Sequence, residues 1–215
     1  MSNEVHYGMV IDTEHCVGCQ TCTISCKISN EVPGSAHWNH LESLDGDVLY
    51  QATGAFPRTR LAFRPMLCNH CEDPACVKHC PTHARHKDEE TGLVLVDQDR
   101  CIACGYCTWT CPYGAPSMDD AHHVMSKCTF CKDRIAEGQK PFCAEACPAN
   151  ARVFGDLNDP DSDISKKLAS GSGEVLNSDL GLSPSLYYFD LSAAEAMPVV
   201  SAVHRGGNVY KPFEG

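Results

Sequence analysis

Sixteen cysteines are grouped into four quartets along this chain of 215 residues. The first three quartets read CVGCQTCTISC, CNHCEDPACVKHCP and CIACGYCTWTCP, and the fourth is divided between CTFC and CAEACP. Their members are Cys16, Cys19, Cys22 and Cys26; Cys68, Cys71, Cys76 and Cys80; Cys101, Cys104, Cys107 and Cys111; and Cys128, Cys131, Cys143 and Cys147. No cysteine lies outside a quartet, so any proposed chemistry has to account for sets of four thiolates.

Disulfides, structural zinc and iron-sulfur clusters all use cysteines at such spacings. Disulfide scaffolds belong to short secreted chains, whereas the opening segment MSNEVHYGMVID lacks a basic region and an apolar core. We therefore expect no export signal of its own. Zinc sites also use C-x2-C pairs, but two pairs complete one ion, and a following proline is not needed. Three quartets end in Cys-Pro, at Pro81, Pro112 and Pro148, while the first ends in Cys26-Lys27.

The third quartet matches the bacterial ferredoxin signature C-x2-C-x2-C-x3-C-P. In that signature three thiolates hold one cube and the fourth reaches a second cube. Such an exchange makes quartets work in pairs, so the sequence predicts two pairs and four 4Fe-4S clusters. Every thiolate is then a ligand, and an iron with four sulfur ligands has no open position for substrate. GxGxxG and P-loop motifs are absent, so we expect an electron carrier without catalytic residues.

Composition excludes two other classes of partner. The formal net charge of −11 argues against binding to nucleic acid, which requires clustered Lys and Arg. The late apolar stretch LSAAEAMPVVSAV, residues 191–203, is too short to cross a bilayer and contains Glu195 and Pro198. We therefore predict no direct membrane span. The histidines, among them His70, His79 and His83, show no ligand spacing and are expected at the surface or beside cluster sulfurs.

Short β-prone segments flank the quartets. Strands are predicted at residues 6–12, 60–66, 93–97, 122–127 and 151–155. The segments within the quartets have room for only one or two turns of helix. The predicted fold class is α+β, with two ferredoxin-like double-cluster modules, long loops and an irregular C-terminal tail.

The predicted domain organisation follows the cysteines. Residues 1–155 form a double bacterial-ferredoxin-like domain, and its insert at 27–67 is expected to dock on a partner or to cover a cluster. Residues 156–215 form a cysteine-free tail rich in Asp, Ser and Gly, which is predicted to contact a partner. Within this tail, SLYYFDL suits either docking on another subunit or folding back on the same chain.

Several local motifs resemble a known family. CNHCEDPAC, CPYGAP, KC-x2-C-x-DR, GQKP-x-C and CP-x-x-A-x-x-FGD lie between residues 6 and 157. They are similar to motifs of the four-cluster iron-sulfur (beta) subunit of the dimethyl sulfoxide reductase family of molybdopterin oxidoreductases, and the iron-sulfur subunit of dimethyl sulfoxide reductase itself is nearest. The group also includes the partners of thiosulfate, polysulfide, tetrathionate and arsenate reductases.

The resemblance implies which cysteines share a cluster. It pairs the first quartet with the fourth and the second with the third. The implied ligand sets are Cys16, Cys19, Cys22 with Cys147; Cys128, Cys131, Cys143 with Cys26; Cys68, Cys71, Cys76 with Cys111; and Cys101, Cys104, Cys107 with Cys80. The related nitrate reductase subunit has a tryptophan where this chain has Cys104, and a three-iron cluster there, so Cys104 predicts a complete cube.

The resemblance also implies a function and partners. The chain is expected to relay single electrons between an integral-membrane quinol-oxidising anchor subunit and a molybdopterin-containing catalytic subunit in anaerobic respiration. It is then peripheral to the prokaryotic cytoplasmic membrane, on either face, through these partners. Two alternatives stay open from the residues alone: a soluble polyferredoxin that serves several enzymes, and a zinc-bearing interaction module.

Overall fold

The elements of this protein are short, and most of them lie directly before or after a quartet. A computed structural model describes residues 5–34, 36–44, 49–52, 54–57, 59, 61–189 and 191. The strands are β1 (Tyr7–Asp12), β2 (Asn39–Ser43), β3 (Phe63–Leu67), β4 (Arg85–Lys87), β5 (Val94–Val96), β6 (Ser117–Asp119), β7 (Val124–Ser126), β8 (Arg152–Asp156) and β9 (Leu186–Phe189). The helices are α1 (Thr21–Ser29), α2 (Ala75–Lys78), α3 (Tyr106–Thr110), α4 (Lys132–Ala136), α5 (Phe142–Glu145) and α6 (Asp163–Ala169), with a 3₁₀ turn at Ser178–Leu180.

A three-stranded sheet in the order β8-β1-β9 forms the centre of the fold. Strand β1 pairs antiparallel with β8 and parallel with β9. Five of its six residues are buried, which is typical of a strand covered on both faces. Three two-stranded antiparallel sheets, β2-β3, β4-β5 and β6-β7, contain the other strands of the described residues.

The predicted α+β class and all five predicted strands are confirmed, with ends shifted by at most three residues. Strands β2, β4, β6 and β9 were not expected. The described part of the insert 27–67 forms the β2-β3 sheet and covers the first quartet, since Leu41 and Pro65 line a cavity with its cysteines. In the described part of the chain, no helix has the length and apolar character needed to span a bilayer; most of the stretch 191–203 lies outside it.

The first part of the cysteine-free tail is ordered against the sheet. Helix α6 begins where the Ser162 side chain accepts a hydrogen bond from the backbone N–H of Ser165 at 3.2 Å, which is a stabilising N-cap. Lys167 of this helix pairs with Asp12 of β1 at 3.0 Å. Leu186 and Tyr188 of β9 are fully buried. Of the two alternatives for SLYYFDL, the structure therefore supports folding back on the same chain.

Candidate iron-sulfur centres

Helix packing brings the quartets together in twos. Helix α1 of the first quartet packs against α5 of the fourth, and α2 of the second packs against α3 of the third. The sheets repeat the same association, because β1 and β8 flank the first and fourth quartets, and β4 and β5 lie between the second and third. Residues far apart in sequence thus face each other across two separate interfaces.

Two groups of four cysteines each surround a cavity. Cys16, Cys19, Cys22 and Cys147 line one cavity. Cys80, Cys101, Cys104 and Cys107 line another. In both cavities three cysteines come from one quartet and the fourth from another.

Seven of the other eight cysteines are buried, and Cys76 is partly buried. Burial and then the nearby thiols of Cys143 and Cys131 raise the pKa of Cys26 to about 12. Burial and then the thiols of Cys68, Cys111 and Cys76 raise the pKa of Cys71. The Cys71 group combines three members of the second quartet with Cys111 of the third, and the Cys26 group combines two members of the fourth quartet with Cys26 of the first.

The chemistry of this donor set fits iron-sulfur clusters. Burial raises the pKa of Cys143 to about 11 and that of Cys111 to about 12, so the bare thiols retain their protons at neutral pH. Metal binding requires thiolates and therefore releases these protons. Among the described residues, no three His, Cys, Asp or Glu side chains are close enough to share a single metal ion. Four thiols instead line each of the two cavities, and a 4Fe-4S cluster takes four cysteine ligands.

The same turn recurs within all four quartets. The residue before the second cysteine has a positive φ in each: 68° at Gly18, 43° at His70, 54° at Ala103 and 53° at Phe130. In the fourth quartet this turn directs the N–H of Phe130 to the sulfur of Cys128 at 3.4 Å. Such left-handed turns gather N–H groups around an anion. Three side chains other than glycine are held in this costly conformation, which indicates a shared ligand-binding geometry.

Gly18→Ala is expected to lower the free energy of unfolding by more than the cost of the left-handed backbone alone. The other three quartets tolerate a Cβ at this φ, but a Cβ at Gly18 would lie 2.4 Å from the Phe63 ring. We expect a cost of about 1–2 kcal/mol for the left-handed backbone and about 1–3 kcal/mol more for overpacking. Thermal unfolding of the anaerobically purified chain measures the total loss of stability.

Gly105→Ala is the matched control, because Gly105 has a φ of 73° and nothing within 4 Å of an added Cβ. We expect only the backbone part of the cost there. Gly18→Ala combined with Phe63→Leu should recover the steric part. Equal losses of stability for the Gly18 and Gly105 variants would show that the contact with Phe63 adds nothing to the cost.

The histidines divide into one buried ring and several exposed ones. His79, His83, His122 and His123 are exposed, as expected. His70 is fully buried, its ring stacks on Phe130 with centroids 4.0 Å apart, and its Nδ1 accepts a hydrogen bond from the Val94 N–H at 3.0 Å. Burial and then the nearby Lys127 lower the pKa of His70 well below its usual range. Because Nδ1 accepts the hydrogen bond from Val94, the ring is neutral and its proton is on Nε2, which has no hydrogen-bond partner among the described residues.

Three buried cations near the cysteines were missed from the sequence. Lys127, Arg85 and Arg152 are 2%, 2% and 5% exposed. Lys127 donates hydrogen bonds to the carbonyls of Val94 and Cys128, and thus joins β5 to the fourth quartet. The repeated segments CPTHAR and CPANAR are the signal that could have drawn attention to the two arginines.

Comparison with known proteins gives one family and several relatives. The family described as a 4Fe-4S dicluster domain matches residues 59–157, a range that contains the second, third and fourth quartets. A subunit of the sulfite dehydrogenase of Allochromatium vinosum is 40% identical, over 84% of this chain and 81% of its own length. A subunit of the tetrathionate reductase of Salmonella typhimurium is 38% identical, over 90% of this chain and 76% of its own length. One chain of the anaerobic dimethyl sulfoxide reductase of Escherichia coli is 42% identical, over 71% of this chain and 75% of its own length.

Proposed function

The protein belongs to the family of iron-sulfur electron-transfer subunits that includes the one of dimethyl sulfoxide reductase, and from this premise we propose its place in a respiratory complex. It relays single electrons through four 4Fe-4S clusters between a membrane quinol-oxidising subunit and a molybdopterin-containing catalytic subunit. The observation that carries this proposal is a linear order of the cysteine groups, with an exposed cysteine at each end.

The proposed ligand sets are named by their first member. The Cys16 cluster takes Cys16, Cys19, Cys22 and Cys147; the Cys128 cluster takes Cys128, Cys131, Cys143 and Cys26; the Cys68 cluster takes Cys68, Cys71, Cys76 and Cys111; and the Cys101 cluster takes Cys101, Cys104, Cys107 and Cys80. The two four-cysteine cavities support the first and last sets. The thiols around Cys26 and Cys71 support the other two.

Electrostatic coupling between sets supports one order. After burial, Cys22 is among the thiols that raise the pKa of Cys26, and Cys68 is among those that raise the pKa of Cys128. Cys107 of the Cys101 cluster is likewise among the groups, after burial, that raise the pKa of Cys76. The order is therefore Cys16, Cys128, Cys68 and Cys101. The two exposed cysteines, Cys19 and Cys104, belong to the terminal clusters, so electrons can enter at one end and leave at the other.

The protein's own contribution is to hold and shield the thiolates. A bound 4Fe-4S cluster supplies a one-electron couple whose potential depends on charge, hydrogen bonds and exposure. Asn30 donates a hydrogen bond to the sulfur of Cys131 at 3.4 Å, and the N–H of Met125 donates to that of Cys101 at 3.3 Å. All members of the Cys128 set are buried, so water is kept from the middle of the path.

Apolar side chains are exposed at both ends of this order. In the sequence beside ligands of the Cys16 cluster, Val17 and Ile24 are 63% and 55% exposed; beside ligands of the Cys101 cluster, Ile102 and Trp109 are 64% and 75% exposed. Exposed apolar patches indicate contact with other proteins. By the family's order the first end faces the catalytic subunit and the second faces the membrane subunit, which makes the chain peripheral to the cytoplasmic membrane through its partners.

The proposal predicts about sixteen irons per chain with matching acid-labile sulfide. Anaerobic purification followed by metal analysis measures both, and electron paramagnetic resonance during a reductive titration should give several interacting reduced cubes. Zinc without sulfide would contradict the proposal. About twelve to fifteen irons with a three-iron signal in the oxidised sample would remove one complete cube from it.

Co-purification tests the partners separately. An affinity-tagged chain expressed from its own operon should bring down a molybdopterin-containing subunit and a multi-span membrane subunit. A chain that carries four clusters but purifies alone, without loss of solubility, would be a polyferredoxin and would contradict the proposed complex.

A further inference from the structure

The segment C-P-x-x-A-R occurs twice, as CPTHAR at residues 80–85 and as CPANAR at residues 147–152. Both copies fold alike: the fourth residue, His83 or Asn150, has a positive φ of 53° or 49°, and its N–H bonds to the carbonyl of the cysteine. The arginine then begins a strand, β4 or β8. The third Cys-Pro segment, CPYGAP, has Pro116 at this position. Each pair of quartets thus contains one such arginine.

Both arginines are buried, and among the described residues neither has an acidic partner. Arg85 is 2% exposed and Arg152 is 5% exposed. The ion pairs formed by arginines within the described residues involve Arg64 and Arg134, and neither Arg85 nor Arg152 pairs there with a carboxylate. Arginine keeps its charge under all physiological conditions. A buried cation is costly unless negative charge compensates it, and the thiolates of a bound cluster would supply that charge.

Arg152 lies between the Cys16 and Cys128 clusters. Its Nη1 donates a hydrogen bond to the sulfur of Cys143 at 3.5 Å, and its Nη2 donates to Oδ1 of Asn39 at 3.1 Å. The same side chain lines the cavity formed by Cys16, Cys19, Cys22 and Cys147. Asn39 is buried, and its amide donates to the carbonyl of Cys22 at 3.2 Å, so the guanidinium is fixed in place.

Arg85 occupies the equivalent place between the Cys68 and Cys101 clusters. It lines the cavity formed by Cys80, Cys101, Cys104 and Cys107. Its charge acts on Cys107 of one cluster and on Cys76 of the other. Within the described part of the chain its Nη1 and Nη2 form no hydrogen bond of good geometry, and the guanidinium lies beside the Cys107 thiol. Buried donors in a cavity lined by four thiols are suited to interact with a negatively charged cluster.

We propose that Arg85 and Arg152 set reduction potentials, each by placing one permanent positive charge between the two clusters of a pair. This inference rests on the proposed electron-transfer function. Reduction adds one negative charge to a cluster, and a nearby cation stabilises the reduced form more than the oxidised form. Hydrogen bonds to cluster sulfur act in the same direction. Each arginine therefore raises the potentials of its own two clusters.

The test uses Arg152→Gln and Arg85→Gln in the complete complex, with potentials followed by electron paramagnetic resonance in a redox titration. Each variant should lower two of the four potentials. At fixed ambient potential, the ratio of reduced to oxidised cluster should fall about tenfold, which corresponds to about 59 mV for one electron. The Arg152 variant should affect the Cys16 and Cys128 clusters, and the Arg85 variant the other two. Each variant is thus the control for the other.

Further variants separate charge from shape. Arg152→Lys keeps the charge and should retain most of the potential, whereas Arg134→Gln removes an arginine paired with Glu145 at the surface and should leave all potentials unchanged. If Arg152→Gln loses its clusters, Asn39→Asp provides a second route, because a carboxylate beside the guanidinium offsets its charge and should lower the same two potentials.

Iron and sulfide content are measured on every sample. A wild-type complex in which this chain holds zinc, without iron and acid-labile sulfide, would refute the electron-transfer function itself. Full iron content with unchanged potentials in both glutamine variants would refute only the role of the arginines, and so would an equal shift of all four potentials.

Discussion

A chain that carries both Cys16→Ala and Cys147→Ala is expected to lose no more iron than either single variant, about four atoms of sixteen. The two residues lie 131 positions apart in the sequence, yet both line one cavity with Cys19 and Cys22. If they hold one cluster, removal of the first ligand already destroys it, and removal of the second has nothing further to destroy. Such non-additivity is the signature of residues that act in one unit. Iron and acid-labile sulfide per chain are the measurements.

The control combines Cys147→Ala with Cys128→Ala. These residues belong to the same quartet in sequence but to different proposed clusters, so about eight irons should be lost. A quartet that held its own cluster would give the reverse result: additive loss for Cys16 with Cys147, and no additional loss for Cys128 with Cys147. The double variants therefore test the exchange of ligands between quartets directly, without any need to assign spectra.

The sequence predicted the features of this fold that depend on local spacing. A cysteine quartet is contained in a dozen residues or in two short pieces, and the β-prone segments beside it are runs of Val, Met, Phe and Leu. Strands β1, β3, β5, β7 and β8 were expected for that reason. The turn repeated at Gly18, His70, Ala103 and Phe130 could not be predicted in the same way, because three of these four residues have a Cβ and do not favour a positive φ.

Long-range pairing was beyond the sequence pattern. Strand β9 joins β1 in parallel, Met9 opposite Leu186, and nothing in SLYYFDL specifies its partner strand. The same holds for the burial of Arg85 and Arg152, since arginine is ordinarily a surface residue. Their burial becomes understandable only when the fold has placed each between two groups of thiols. Arg85 and Arg152, whose burial departs from the usual behaviour of arginine, are therefore residues that lie beside the cysteines.

Tyr188→Ala is expected to produce the largest loss of stability of any single substitution in the described part of the tail. Tyr188 is fully buried in β9, and its hydroxyl donates a hydrogen bond to the carbonyl of Pro65 at 2.9 Å. Truncation of a buried aromatic side chain costs about 3–5 kcal/mol, and the unpaired carbonyl adds to this. For a chain of this size the melting temperature should fall by on the order of 10 °C. Thermal unfolding and the rate of cluster loss at constant temperature measure the effect.

The neighbouring Tyr187→Ala is the matched control, because the same residue type on the same strand is only partly buried. We expect a cost of about 1 kcal/mol or less there, while Tyr188→Phe should show the part due to the hydroxyl. A tail that mainly docks on a partner predicts the opposite: neither tyrosine would matter to the isolated chain, and both would matter to co-purification. If the Tyr188→Ala variant has the melting temperature of the wild type, β9 does not stabilise the central sheet. The tail would then belong to an interface with a partner subunit.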